Sequence, residues 1–437
     1  MGVRLKQYWF NIQSSLWFLP TIMALASVVL AFAFLELDSS ITYKDFPIAW
    51  FIYGGQPDGA RSVLSTIASS MVTIAGVTFS ITLVALTMAS SQFGPRLLRN
   101  FISDKGNQFV IGTFISTFIY SLIVLLTIRG SDDDEFIPKI SVVFAFLLAI
   151  LSLGVLIFFI HHVSTSIQAD YIINSSYKDF RKVTDNYLLN EGDSVENIDI
   201  SASLKQVKAE YLLSTEVHCD KSGFIQSVDY EGACKWAEKN NAAIEWLIYP
   251  GSFVTIHHVF AIVYHQSLQP LQTEKQIQDF IVTRYQRTPN QDLLFSLKQI
   301  VEVGVRALSP GINDPHTAIT CIQWIGAALS ELSTKKFGNP FLRDSSANIK
   351  VIKKQITYQD IADTSFDQLC LYGKSNIYVI ETLLDAIKKP LEIPINKEFE
   401  SVLKAKATDI YRETIHQLND NQKLSIEKSY YEIMQLP

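Results

Sequence analysis

Cysteine is scarce in this chain and follows no motif. Four of the 437 residues are cysteines, Cys219, Cys234, Cys321 and Cys370, and no CxxC pair or Cys/His spacing links them. That argues against a zinc site or a disulfide framework and for reduced thiols. Charge is sparse as well: charged residues make up 18% of the chain, below the roughly one quarter usual in soluble proteins. The net charge of -6, with no basic run, gives no reason to expect a nucleic-acid partner. There is no Walker loop, Rossmann glycine pattern, GxSxG or HExxH, so the sequence names no catalytic residue, metal ligand or cofactor. No internal repeat or low-complexity tract is present.

Long apolar runs, in contrast, are plentiful, and nearly all precede Ser164. Leu16 to Leu35 is long enough to cross a bilayer and longer than a signal-peptide core, so it reads as an uncleaved anchor. Ser62–Ser91, Phe109–Ile128 and Ile140–Ile160 are three further spans. Arg4 and Lys6 precede the first span; Arg96, Arg99 and Lys105 follow the second; His161, His162, Lys178, Arg181 and Lys182 follow the fourth. The alternate loops carry Glu36, Asp38, Asp45 and Asp58, and then the acidic run Asp132–Glu135. Basic loops remain cytoplasmic, which predicts both termini, and everything after about residue 162, on the cytoplasmic side.

The second span differs from the others. A helix from Arg61 to Phe93, stopped by Gly94-Pro95, would be roughly 45 Å long and must tilt or project from the membrane. At 100° per residue, Ser62, Thr66, Ser69, Thr73, Gly76, Ser80, Thr87 and Ser91 fall on one narrow stripe, interrupted by Val84. Two readings stand. Small residues let helices pack closely, or hydroxyls line a pore in a symmetric oligomer. Arg61 and Arg96 at the ends would either select anions or anchor the helix at headgroups.

After the spans the chain reads as soluble α+β. A polar helix over Thr165–Leu189 and an acidic linker lead into short strands at Ser214–Cys219, Gly223–Val228, Ala243–Tyr249, Ser252–Ile256 and Val259–Tyr264. Turn signals and a helix at Asp229–Asn241 separate them. Strands this short and close predict a small β-barrel-like region. The remainder reads as mostly helical, with helices at about Thr273–Tyr285, Gln291–Leu308, Pro315–Ser333, Ser365–Lys388, Lys397–Leu418 and Asn421–Gln435 and a strand at Ile349–Tyr358. The expected domains are residues 1–164 (four transmembrane helices), 165–213 (helix and linker), 214–267 (barrel-like) and 268–437 (mainly helical).

"RALSPGINDPHTA" (Arg306–Ala318) joins two of these helices. Asp314 is a strong N-cap and Pro315 a strong first helical residue, so the stretch is at least a firmly specified corner. Arg306, Asn313, His316 and Thr317, near a helix N-terminus, also suit an anion, and "RYQRTPNQD" adds Arg284 and Arg287 on a second loop. His161-His162 reads as interfacial, and His257-His258 as part of a turn.

"VTFSITLVALTMASSQFGPRLLRNF", "RTPNQD" and "RALSPGINDPHTA" together resemble the bacterial predicted-membrane-protein family called domain of unknown function 2254. The resemblance covers most of the chain; Asn190–Lys205 and the tail after about Lys389 match nothing specific. It implies a bacterial inner-membrane protein and carries over no catalytic residues. The resulting expectation is a homo-oligomer with a channel-like pore along the second span and a cytosolic regulatory domain. The alternative is a membrane-anchored sensor or scaffold that binds a small anion or a protein partner without transport. An enzyme ranks third.

Overall fold

A computed structural model describes residues 12–13, 15–40, 56–94, 101, 104–131, 134–190, 200–266 and 270–436. Arg4, Lys6, Asp45, Arg96, Arg99, Asp132 and Asp133 lie outside the described residues. The chain divides into two units that meet in sequence between Gln168 and Ala169.

The N-terminal unit contains four helices long and apolar enough to cross a membrane: α1 (Phe18–Ser40), α2 (Pro57–Phe93), α3 (Lys105–Thr127) and α4 (Lys139–Ser166). A two-stranded ribbon, β1 (Arg129–Ser131) with β2 (Asp134–Phe136), joins α3 to α4. The central helix is α3, half of whose apolar stretch is buried, against 22% or less in the other three. Glycine lets α1 approach it closely, for a Cβ at Gly112 would lie 3.2 Å from the Cα of Pro20. Polar ties lock the bundle at defined heights. The Asp38 carboxylate accepts from the amides of Ile140 and Ser141, both at 2.9 Å, and so caps α4 from the end of α1. Tyr120 donates to the Ser141 carbonyl, and Thr117 meets Ser152 at 3.2 Å. Apolar side chains alone would let helices slide in lipid, whereas hydrogen bonds of this kind fix their register.

The C-terminal unit begins with α5 (Ala169–Tyr187), a helix of its own rather than an extension of the fourth span. Next come β3 (Leu188–Asn190), α6 (Ile200–Glu210), β4 (Leu213–His218), β5 (Gly223–Val228), α7 (Tyr230–Lys239), β6 (Ala243–Trp246), β7 (Phe253–Val254), β8 (Val259–His265), α8 (Pro270–Gln278) and β9 (Ile281–Arg284). The last stretch is α9 (Leu293–Ala307), α10 (Pro315–Ser333), β10 (Lys335–Phe337), β11 (Phe341–Arg343), β12 (Ile349–Ile352), α11 (Tyr358–Gly373), α12 (Ile377–Leu391), α13 (Lys397–Thr414) and α14 (Asp420–Gln435).

The expected barrel is corrected here. Among the described residues the strands form open sheets: a five-stranded one, β11-β12-β6-β8-β4, a three-stranded one, β7-β5-β9, and the pair β10-β3. Closure fails because β6 takes as its parallel neighbour β12, about a hundred residues downstream, and β5 turns away to pair with β9. The fold is therefore four apolar helices, then a mixed α+β unit with a helical C-terminal part. Trp246, Phe260, Ile225 and Val263 fill the core between the two main sheets.

Candidate functional site

Two features carry the candidate residues. The first is α2, whose 37 residues span about 55 Å. Its packing face against the bundle is Leu64, Ile67, Ala68, Met71, Thr78, Ala85, Ala89 and Phe93. The polar stripe is elsewhere: Ser62, Thr66, Ser69, Thr73, Gly76, Ser80, Thr87 and Ser91 are all exposed on the outer surface of the unit. Among the described residues of this unit, its small residues therefore lie off the packing face. Their hydroxyls donate back to carbonyls one turn earlier: Thr66 to Ser62, Thr73 to Ser69, Ser80 to Gly76, Thr87 to Leu83 and Ser91 to Met88, at 2.7–3.0 Å. The hydroxyl protons are thereby used within the helix, and oxygen lone pairs face outward. Nothing lies within 4 Å of a Cβ built on Gly76. Arg61 does not face along the stripe freely; it donates to the Ile128 carbonyl at 3.1 Å and to Asp58 at 3.3 Å, tying the start of α2 to the end of α3.

The second feature is the corner between α9 and α10. Leu308 and Ser309 close α9, and Asn313 takes a left-handed φ of 48° to turn the chain. The Asp314 amide then returns to the Ala307 carbonyl at 2.7 Å. Asp314 caps α10 by accepting from the Thr317 amide at 3.2 Å and the Thr317 hydroxyl at 2.5 Å. These bonds, the hydroxyl's foremost, hold its carboxyl below the usual carboxylate range. The anion position of this helix N-terminus is occupied by the chain's own carboxylate. Arg306 lies in the last turn of α9, itself engaged in the fold, and His316 is exposed in the first turn of α10.

Arg284 and Arg287 are not brought to this corner. They precede α9, whereas Arg306 ends it, and the helix between is about 20 Å long. Arg287 clasps the Asp292 carboxylate with two hydrogen bonds, 2.7 and 2.8 Å, and Asp292 caps α9 through the Phe295 amide. Burial keeps Asp292 above the usual carboxylate range in spite of that guanidinium. Gly251, at φ 98°, packs directly on the pair, where any side chain would collide with it. Gln291 completes the motif by pairing with the Val228 backbone at 2.9 and 3.4 Å. "RTPNQD" thus docks the three-stranded sheet onto α9. Arg284 ends β9 and is exposed.

The structure also brings together residues that sequence reasoning missed. A groove of about 560 Å³ opens beside the corner, lined by Pro315, His316, Ile319 and Gln323 of α10 and, across it, by Tyr378, Glu381, Thr382 and Asp385 of α12. The two helices run in the same direction, since Gly326 meets Ala386 farther along. Some sixty residues separate the two walls, and no local pattern links them. Asn376 caps α12 by accepting from the Tyr378 amide at 3.0 Å. On a neighbouring face α10 carries α5: the Tyr177 ring lies 4.7 Å from that of Trp324, and its hydroxyl donates to Glu331 at 2.6 Å. His162, expected to be merely interfacial, pairs with Asp104 at 2.8 Å and stacks on Phe158. His257 and His258 do lie in the turn between β7 and β8. Burial raises the thiols of Cys219, to about 11, and Cys370, to about 12, and lifts that of Cys321 as well, so these cysteines are protonated and poor nucleophiles.

A family described as "Predicted membrane protein (DUF2254)" matches residues 13–389. An uncharacterized protein of Mycobacterium tuberculosis is 29% identical over 382 residues, covering 86% of this chain and 71% of its own. An uncharacterized protein of Mycobacterium bovis is similar to the same extent, 29% over 382 residues. No solved structure matches the chain.

Proposed function

The chain belongs to the DUF2254 family of predicted membrane proteins, and from that premise we propose that it is a homo-oligomeric inner-membrane protein with a channel-like pore lined by α2. The observation that carries this reading is the outward position of the Ser/Thr/Gly stripe. A small, polar face against lipid gains little dispersion contact and wastes its oxygens; against a symmetry axis it supplies a wall of hydroxyl oxygens to replace hydration. In this reading the C-terminal unit lies in the cytoplasm, as the basic and acidic loops suggest, and regulates the pore.

Purified full-length protein in liposomes tests the proposal. Wild type passes ions, and Ser80→Leu stops the flux while leaving the oligomer's mass unchanged, because an apolar constriction dewets a narrow path. If wild type passes none and Ser80→Leu breaks the oligomer, the face is a packing surface between copies.

A second reading, a membrane-anchored sensor or scaffold, is favoured by one separate observation. The groove beside the corner is built on α10, and a neighbouring face of that helix holds α5, the first helix after the spans. A protein or small-molecule partner in the groove would therefore bear on the element that follows the membrane. Within this reading the corner itself offers an anion only exposed His316 and Asn313, since Asp314 takes the Thr317 amide and hydroxyl and Arg306 is engaged in the fold.

A further inference from the structure

A second groove, of about 480 Å³, lies on the outer surface of the N-terminal unit. Its six lining residues are all apolar: Phe109 of α3 with Ile150, Leu151, Gly154, Val155 and Phe158 of α4. Gly154 makes the hollow, for a Cβ there would have no heavy atom within 4 Å. Buried Val155 is the floor, and Phe109, Ile150, Leu151 and Phe158, each 43–57% exposed, are the walls. These helices are long and apolar enough to span a membrane, so the groove faces acyl chains.

One end of the groove changes chemistry. Lys105 is four residues before Phe109, and His161 and His162 are three and four residues after Phe158. Helical periodicity sets all three one turn beyond the apolar walls, at the membrane–water boundary. Phe158 joins the two regions directly, its ring stacked on His162 with centroids 5.4 Å apart. Asp104 is also at this mouth, the carboxylate that would oppose an anion there among the described residues of this unit. It is already committed: Oδ1 lies 2.8 Å from His162 Nε2 and accepts the Asn107 amide of α3 at 3.0 Å. Lys105 and His161 remain exposed.

We propose that this surface is a binding site for an anionic phospholipid, with one acyl chain lying in the hollow at Gly154 and the headgroup phosphate held by Lys105 and His161. An apolar trough ending in cationic and imidazole donors matches the two halves of such a lipid, and basic pockets between spanning helices bind anionic headgroups. Inorganic phosphate would satisfy the mouth but leave the trough without a counterpart. The site is independent of the pore reading and stands if no flux is found.

Native mass spectrometry of the full-length protein in detergent, titrated with phosphatidylglycerol and phosphatidylcholine, tests it. Wild type binds phosphatidylglycerol about fivefold more tightly than phosphatidylcholine, the effect expected for one cation near a lipid phosphate. Excess inorganic phosphate does not displace it. Gly154→Leu fills the trough and weakens both lipids, with Gly154→Ala between it and wild type. Lys105→Gln combined with His161→Gln abolishes the preference, so that phosphatidylglycerol and phosphatidylcholine bind this variant equally. Equal binding of the two lipids by wild type, displacement by phosphate, or an unaltered Gly154→Leu protein overturns the proposal. Circular dichroism and melting check that each variant is folded, and if Gly154→Leu fails to fold, Gly154→Ala and the double variant decide.

Discussion

Asp314 shows how one residue answers a question posed by its surroundings. In the sequence, Asn-Asp-Pro-His beside Arg306 suits either a helix cap or an anion site. In the fold, Asp314 takes the position an anion would use, bonded to the Thr317 amide and hydroxyl. Asp314→Ala is therefore expected to cost about 0.5–2 kcal/mol of stability, whereas His316→Ala, an exposed first-turn change, should leave melting nearly unaltered. The pH dependence has a definite sign. The folded carboxyl is held below its usual value, so its contribution is present above about pH 4, the unfolded value, and is lost as pH falls through the lower folded one. Melting of full-length protein and of Asp314→Asn should thus converge in that acid range and separate above it. Arg287 was the less legible residue: sequence cannot say whether a guanidinium meets a ligand or a carboxylate five residues on, and here it meets Asp292.

At the scale of elements, periodicity located most helices but not every break between them. Thr273–Tyr285 reads as one helix, yet α8 ends at Gln278 and Ile281–Arg284 is a strand. The β-branched run "IVTR" pairs with β5, and that pairing overrides the helical pattern. Ser365–Lys388 likewise reads as one helix, but Asn376 starts a new one by capping α12. The contact between α10 and α12, which builds the corner groove, depends on Gly326: a Cβ there would sit 3.0 Å from the Cα of Ala386, backbone that cannot swing aside. Gly326→Val should destabilise the full-length protein by about 1–3 kcal/mol through overpacking. Gly311→Ala, with nothing within 4 Å of the added carbon, should melt like wild type; equal melting of both variants would mean the two helices are not so closely packed.

For the whole molecule, the loop charges make a topology prediction. With Cys234→Ser as background, since the other three cysteines are buried, a single cysteine replaces Asp58 or Lys221, both exposed. In intact cells an impermeant thiol reagent should label Asp58→Cys at once and Lys221→Cys only after permeabilisation. The reverse pattern would place the C-terminal unit outside and remove the cytoplasmic regulation from the proposed function.

Sequence alone determined the features that depend on local composition. Four helices follow from four long apolar runs, because hydrocarbon admits backbone only when its hydrogen bonds are internal. The α9–α10 corner follows from Asp314-Pro315, because a cap acts within one turn. The polar stripe of α2 follows from spacing along one helix. Tertiary structure decided what each face meets. It turned the stripe outward, spent Arg287 on Asp292, opened the sheets by drawing β12 beside β6, and set Tyr378 and Glu381 opposite His316. The last two join residues whose separation along the chain carries no periodic signal, so only packing, which chooses partners by shape and burial, brings them together.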